Sequence, residues 1–224
     1  MKSFADALME YYRNLQPPRD LPVDVEVMNP YQNAGTFQIA KTFYQKYYGD
    51  QKERIICFGI NPGRFGAGVT GVPFTDPIRL TEVCGIANDF EQRAELSSRF
   101  IYEMIEAFGG PGAFYAKFYI SAVSPLGYIR DGINLNYYDI TGYKELFEAY
   151  AVAEIRKQMP LGISRKVAFS IGKGKNIQYL HWLNSKHDLF DEIIPLSHPR
   201  WVMQYRLKRK DEFIQEYLQA FRTA

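Results

Sequence analysis

Apolar residues recur along this chain in two alternating patterns, one with a period of roughly 3.6 residues and one of short unbroken runs. Residues 3–15 place Phe4, Leu8, Tyr11, Tyr12 and Leu15 on one helical face, with Ser3 positioned to cap the first turn and Pro17-Pro18 forbidding continuation. Strand-like runs follow at 54–60 (RIICFGI), 117–123 (KFYISAV), 166–171 (KVAFSI) and 189–195 (LFDEIIP). Three of them are near-continuously apolar, as parallel strands covered on both faces are. Helical periodicity occupies 36–48, 94–108, 141–158 and 173–184, and a last stripe of Phe213, Ile214, Tyr217, Leu218 and Phe221 lies within 207–222. The alternation predicts a three-layer α/β/α sandwich around a central, mainly parallel four-stranded sheet. Its ligand crevice is expected beyond the carboxyl ends of the strands. No repeat, linker or low-complexity tract interrupts residues 1–224, so a single domain is expected.

Composition narrows the setting. With 46% hydrophobic and 16% aromatic residues among 224, the chain is able to bury a sizeable core. It has no run of about 18 apolar residues and no basic-then-apolar leader, so neither a membrane span nor export is expected, and a cytoplasmic location is. Cys57 and Cys84 are too few for a disulfide framework, a zinc site or a four-cysteine iron–sulfur cluster, and read as buried thiols. A net charge of +2 does not announce a nucleic-acid partner, although a near-neutral total can conceal a basic face. No sequence feature points to an oligomer, so a monomer is expected.

The most unusual stretch is GINPGRFGAGVTGVPF, residues 59–74, which leaves a predicted central strand at the edge where α/β folds hold their ligands. Its glycines permit close backbone approach to a ligand. Their spacing fits neither a dinucleotide fingerprint nor a Walker loop, which argues against a nucleotide cofactor. On loop chemistry alone, a stiff turn capped by Asn61 and braced by Pro62 and Pro73 accounts for it as well.

This stretch resembles, without a gap, the first motif of the single-strand-selective monofunctional uracil-DNA glycosylases, approximately G-M-N-P-G-P-F-G-x-x-x-T-G-V-P-F. The likeness extends to VMNPYQNA (27–34), AELSSRF (94–100), ISAVSPLGY (120–128), VAFSIGKGK (167–175) and PLSHPR (195–200), in the same order and with similar spacing. The first motif is highly specific, the His-Pro motif moderately so, and the others mean little alone. A bacterial side branch of that family fits best.

The resemblance implies a base-excision enzyme of DNA that flips a damaged base into a pocket and hydrolyses its N-glycosidic bond with water, using no metal or other cofactor. Asn61 matches the asparagine that holds the attacking water, and His198 the histidine that donates to the base oxygen gaining charge. Phe74 matches the aromatic that stacks on the flipped base, with Ile60, Gly63 and Arg64 supplying backbone amides around it. Read alone, Phe74 is more readily a core aromatic, and His198 is as readily a loop histidine. His181 and His187 read as structural or solvated.

For the DNA strand, Ser97, Ser98, Lys173 and Lys175 sit at helix starts where phosphates bind, and each has an ordinary capping or solvated reading beside it. Arg200, Trp201 and Tyr205 are the candidates to fill the gap left by the flipped base, because the family's H-P-S-P-R-N run is here shortened to His198-Pro-Arg-Trp201. A second departure concerns the base itself. Where the family has His-Asn-Leu-Cys-Pro-Leu, this chain has Ser121-Ala122-Val123-Ser124-Pro125-Leu126, and Ala122 lacks the amide that reads uracil. Strand alternation places Ser124 on the same face as Ala122, so its hydroxyl is the expected substitute. Two other readings stay open: a catalytically silent nucleic-acid-binding relative, and an α/β enzyme acting on a small nucleoside.

Overall fold

The computed structural model describes residues 2–224. Helix α1 (Phe4–Arg13) starts at Ser3, whose hydroxyl accepts the Asp6 N–H at 3.1 Å and donates to the Asp6 carboxylate at 2.8 Å. Such a cap is worth about 1 kcal/mol. A short strand β1 (Glu26–Met28) precedes α2 (Ala34–Tyr48), capped by the Asn33 side chain, and the central strand β2 (Arg54–Gly59) follows. The glycine-rich loop then holds α3 (Ala67–Thr70), and α4 (Pro77–Glu82) comes next. Helices α5 (Leu96–Phe108) and α6 (Gly110–Lys117) lead into β3 (Phe118–Ala122) and a hairpin of β4 (Gly127–Arg130) and β5 (Ile133–Leu135). The remaining elements are α7 (Tyr143–Gln158), β6 (Ile163–Ile171), α8 (Lys175–His187), β7 (Glu192–Leu196), α9 (Pro199–Tyr205) and α10 (Lys210–Thr223).

The central sheet has the order β3-β2-β6-β7, and all three pairings are parallel. Residues paired across parallel strands share a face, which sorts the layers. Phe118 and Phe169 lie on one face against Phe114 and Phe221 of α6 and α10, with the Phe118 and Phe221 rings 4.4 Å apart. On the other face Tyr119 meets Tyr12 of α1 at 2.8 Å, Ser121 donates to Gln158 of α7 at 2.7 Å, and Ser170 accepts from Asn176 of α8 at 3.2 Å. The expected three layers and four-stranded sheet are therefore present, and here the sheet is wholly parallel. Gly59 pairs with Ala122 and Ile171 with Leu196, so all four strands end at one edge.

The short helices α3, α4 and α6 escape the pattern-based reading, as do three further features. A second, antiparallel sheet, β1-β4-β5, stands beside that edge. Its strands of three or four residues are too short to show a period. The run at 189–195 begins before its strand, because Asn184 Oδ1 accepts the N–H groups of Leu189 and Phe190 at 2.9 and 2.8 Å and holds them as a buried turn. Residues 199–205, to which the sequence pattern assigns no element, form α9, whose first turn starts at Pro199 with its φ already preset. Among the described residues no helix is long and apolar enough to cross a membrane.

Because Phe118 bridges the sheet to α5, α6 and α10 through aromatic contacts, Phe118→Ala is expected to cost about 3–5 kcal/mol. Urea unfolding checks this as a lower midpoint with an unchanged slope.

Candidate active site

The loops leaving β2, β3, β6 and β7 surround a cavity of about 770 Å³, closed on one side by Asn134, Leu135, Asn136 and Tyr138 at the end of β5 and just after it. The glycine-rich loop forms its floor. Gly59 is needed there because a Cβ would stand 3.0 Å from Cε2 of Phe74 and 3.4 Å from the Ser121 carbonyl. Phe74 itself has φ +53°, a left-handed conformation that costs a non-glycine residue about 1–2 kcal/mol. The surrounding bonds enforce it: Thr70 Oγ1 donates to the Thr75 carbonyl at 2.7 Å, and the Thr75 hydroxyl meets Tyr102 at 3.0 Å. The upstream VMNPYQNA segment holds the same loop from outside, through Tyr31 Oη to the Gly71 carbonyl at 2.9 Å and Thr36 Oγ1 to Val69 at 3.0 Å.

Asn61 lines the cavity with its amide orientation fixed by its partners. Nδ2 donates to the Leu135 carbonyl at 3.0 Å and Oδ1 accepts the Tyr137 N–H at 2.9 Å. A carbonyl only accepts and an N–H only donates, so the assignment has no ambiguity. Oδ1 keeps one lone pair for a further donor. Across the cavity His198 precedes α9, and its Nδ1 accepts the Arg200 N–H at 3.2 Å. The neutral ring therefore carries its proton on Nε2. Burial, aided by the Arg200 charge, lowers the His198 pKa to about 4, so the ring is neutral at pH 7. The Phe74 and His198 rings lie 6.3 Å apart, with planes inclined at 59°.

Of the residues singled out by the sequence, Ile60, Asn61, Gly63, Phe74, Ala122, Ser97, Lys173, Lys175, Arg200, Trp201 and His198 share this cavity. Arg64 does not line it: its backbone N–H, expected to serve the pocket, donates to Asn134 Oδ1 at 3.3 Å, and its guanidinium reaches the Gly132 carbonyl and stacks over Phe65 at 4.6 Å. Tyr205 is 65% exposed and lies outside the cavity wall. Two expectations need correction. Strand β3 ends at Ala122, so alternation does not carry Ser124 to the same face; its buried hydroxyl donates to the Leu126 carbonyl at 3.1 Å and meets Tyr128 Oη at 2.7 Å. Ser98 is fully buried, and its Oγ accepts the Asp76 N–H at 3.1 Å, a clamp on the start of α5 rather than a phosphate contact.

Lys173 and Lys175 pair with Glu216 and Asp139 at 3.1 and 3.6 Å, with more than half of each lysine side chain exposed. Exposed pairs of this kind are weak and yield to a competing anion. Trp201 stands edge-on to Phe213 at 5.7 Å and carries the Arg206 guanidinium 5.0 Å from its ring. The sequence reading missed Asn134, Asn136 and Tyr138, which enter with the small sheet, and Glu95 beside Ser97. Only the second letter of AELSSRF, a carboxylate ahead of a helix, hinted at Glu95. Burial and the neighbouring Asp76 charge raise its pKa to about 7, against the opposing charges of Arg200 and Arg93. Among the described residues no group of three or more His, Cys, Asp or Glu side chains is placed to hold a metal ion.

Known proteins give the same picture. Residues 46–222 match the model of the uracil DNA glycosylase superfamily. The crystal structure of wild-type Pedobacter heparinus SMUG2 is similar to this one with a TM-score of 0.95 and 41% sequence identity, covering 100% of this chain and 98% of that chain. No curated protein gives a significant match. A cavity at the carboxyl edge of a parallel sheet, a family match over most of the chain and a full-length structural likeness agree: the chain belongs to the uracil-DNA glycosylase superfamily and is a DNA glycosylase.

Proposed function

We propose that this protein is a monofunctional base-excision glycosylase that hydrolyses the N-glycosidic bond of uracil or related damaged bases in DNA, with a water nucleophile held by Asn61 and the leaving base stabilised by His198. The observation that carries this reading is the fixed, neutral tautomer of His198 in the same cavity as the oriented Asn61 amide. In a glycosidic cleavage the bond electrons leave with the base, and negative charge grows on its carbonyl oxygen. A neutral Nε2–H donor meets that charge without first having to lose or gain a proton, as an oxyanion-hole donor does. The sugar becomes cationic, and such an electrophile needs a positioned water more than a strong base. Asn61 Oδ1 has the free lone pair to hold one hydrogen of that water. Phe74, held in its strained conformation at the cavity floor, offers a ring face to the flipped base, a stack worth roughly 1–3 kcal/mol.

Lys173, Lys175 and Arg200 give the cavity wall three cations against the single carboxylate of Glu95, which suits a phosphate backbone. Trp201, 40% exposed and braced by Phe213, is the candidate among Arg200, Trp201 and Tyr205 to stack where the base has left. Base choice is broad in this reading. Ala122 presents no amide and Ser124 is engaged elsewhere, while Asn134 and Asn136 bring side-chain amides to the opposite wall.

The test is base release from single- and double-stranded oligonucleotides carrying uracil, 5-hydroxymethyluracil, hypoxanthine or xanthine, read by alkaline cleavage at the abasic site. Asn61→Ala and His198→Ala are each expected to lose about 10² or more of the rate while still binding the strand. Base release that survives both changes would refute the assigned roles.

The low pKa of His198 has a second consequence. The unfolded ring protonates near its ordinary value of 6.5 and the folded ring only near 4, so the unfolded state binds more protons between those values. Stability is expected to fall as the pH is lowered through that window, and His198→Gln to remove this part of the fall. Thermal melting across the window and the ring titration by NMR check both halves.

A further inference from the structure

The mechanism so far leaves the cavity's one carboxylate unused. Glu95 precedes α5, and its backbone is fully engaged: its N–H donates to Asp76 Oδ2 at 2.9 Å and its carbonyl accepts the Arg99 N–H at 2.9 Å. Its carboxylate is not. Among the described residues neither oxygen has a hydrogen-bond or salt-bridge partner, although the side chain lies in the cavity wall. The glycine-rich loop is shaped around it. A Cβ on Gly66 would stand 2.1 Å from Glu95 Oε2, and one on Gly63 would stand 3.8 Å from Oε1 and 3.6 Å from Asn134 Nδ2. The carboxylate thus packs against Gly63 and Gly66 of the loop that carries Asn61, and the Asn134 amide also approaches Gly63.

We propose that Glu95 is a further catalytic residue of this site, the group that takes the proton of the attacking water as the Asn61-held oxygen bonds to the sugar. This rests on the glycosylase reading above. In the step, the glycosidic C–N bond breaks and its electron pair leaves with the base, which the His198 Nε2–H stabilises. A water lone pair forms the new C–O bond, the water O–H bond breaks, and its proton passes to the Glu95 carboxylate, which later releases it to solvent. Asn61 cannot do this, because an amide oxygen holds a hydrogen without accepting the proton at neutral pH. Between transfers the carboxylate also places negative charge near the cationic sugar.

The electrostatics agree with this placement. The charged groups facing Glu95 are Asp76 at the start of α4, Arg93 in the preceding loop and Arg200 in α9, with His198, Lys173 and Lys175 elsewhere in the cavity. Burial and Asp76 outweigh the two arginines and raise its pKa to about 7, close to the optimum for a base working near neutral pH. Phosphates of a bound strand push it further up. His198 is neutral throughout this range, so a pH dependence near or above 7 isolates Glu95.

The experiment measures single-turnover release of uracil from oligonucleotides by the full chain between pH 5.5 and 9, with binding to a strand carrying a non-cleavable abasic analogue measured in parallel. The wild-type rate is expected to rise with pH through about 7 or somewhat above and then level off. Glu95→Gln is expected to be slower by about 10² on the plateau, to lose the rise, and to bind the analogue within about twofold of wild type. Because the folded site disfavours the charged carboxylate, Glu95→Gln is also expected to melt no lower than wild type above pH 7, which a merely structural role would not give. Glu95→Asp keeps a carboxylate and is expected to keep the rise at a reduced rate, a check that stands if the glutamine variant folds poorly. A Glu95→Gln enzyme with the wild-type rate and profile, or with its whole loss in binding, overturns the assignment. A wild type that releases no base at any pH overturns the glycosylase reading instead.

Discussion

Two hydrogen bonds from one amide hold the site together. Asn61, just past the end of β2, gives its Nδ2–H to Leu135 and takes the N–H of Tyr137, at 3.0 and 2.9 Å. These bonds tie the edge of the parallel sheet to the end of β5 and the segment just after it, and so close one wall of the cavity. They also fix which way the amide oxygen points. A side chain that presents a fixed polar group to a cavity must itself be locked, and here the main-chain groups of Leu135 and Tyr137 do the locking.

Close approach shapes what the amide faces. The loop contacts Phe74 at Gly59 and Glu95 at Gly66, where a Cβ would come within 3.0 and 2.1 Å of their side-chain atoms. The left-handed backbone of Phe74 is strained, and the bonds of Thr70 and Thr75 hold it in place. Strain of this order persists only where neighbouring contacts over-determine it, and here it holds an aromatic residue in the cavity wall.

Burial sets the electrostatics. Low solvent access disfavours charge on both kinds of group, so it lowers His198 to about 4 and raises Glu95 to about 7. One side chain becomes a permanent neutral donor and the other a carboxyl whose proton is exchangeable near neutrality. Arg200 acts on both, deepening the shift of His198 and opposing that of Glu95. Around the mouth, Lys173 and Lys175 rest in exposed ion pairs that an incoming phosphate can replace.

The unbroken apolar runs of β2, β3 and β6 and the helical stripes of α1 and α10 were sufficient to predict the parallel sheet and its layers, because burial on both faces imposes those patterns directly. The dense motif at 59–74 announced Asn61 and Phe74 only through its resemblance to the glycosylase motif, since glycines and prolines alone fit a stiff turn as well. The small sheet was invisible because strands of three or four residues carry no period, and Asn134, Asn136 and Tyr138 were hidden with it. Ser124 was misplaced because alternation holds only while a strand continues, and β3 stops two residues earlier. Ser98 looked like a phosphate contact until the buried Asp76 claimed it. Glu95 shows the limit most plainly: its letter is ordinary, and its chemistry comes from a fold that removes water, sets Asp76 beside it and leaves its carboxylate without a partner. Local pattern determined which segments pair and bury, whereas long-range packing decided which polar groups remain free, because that depends on neighbours distant in sequence.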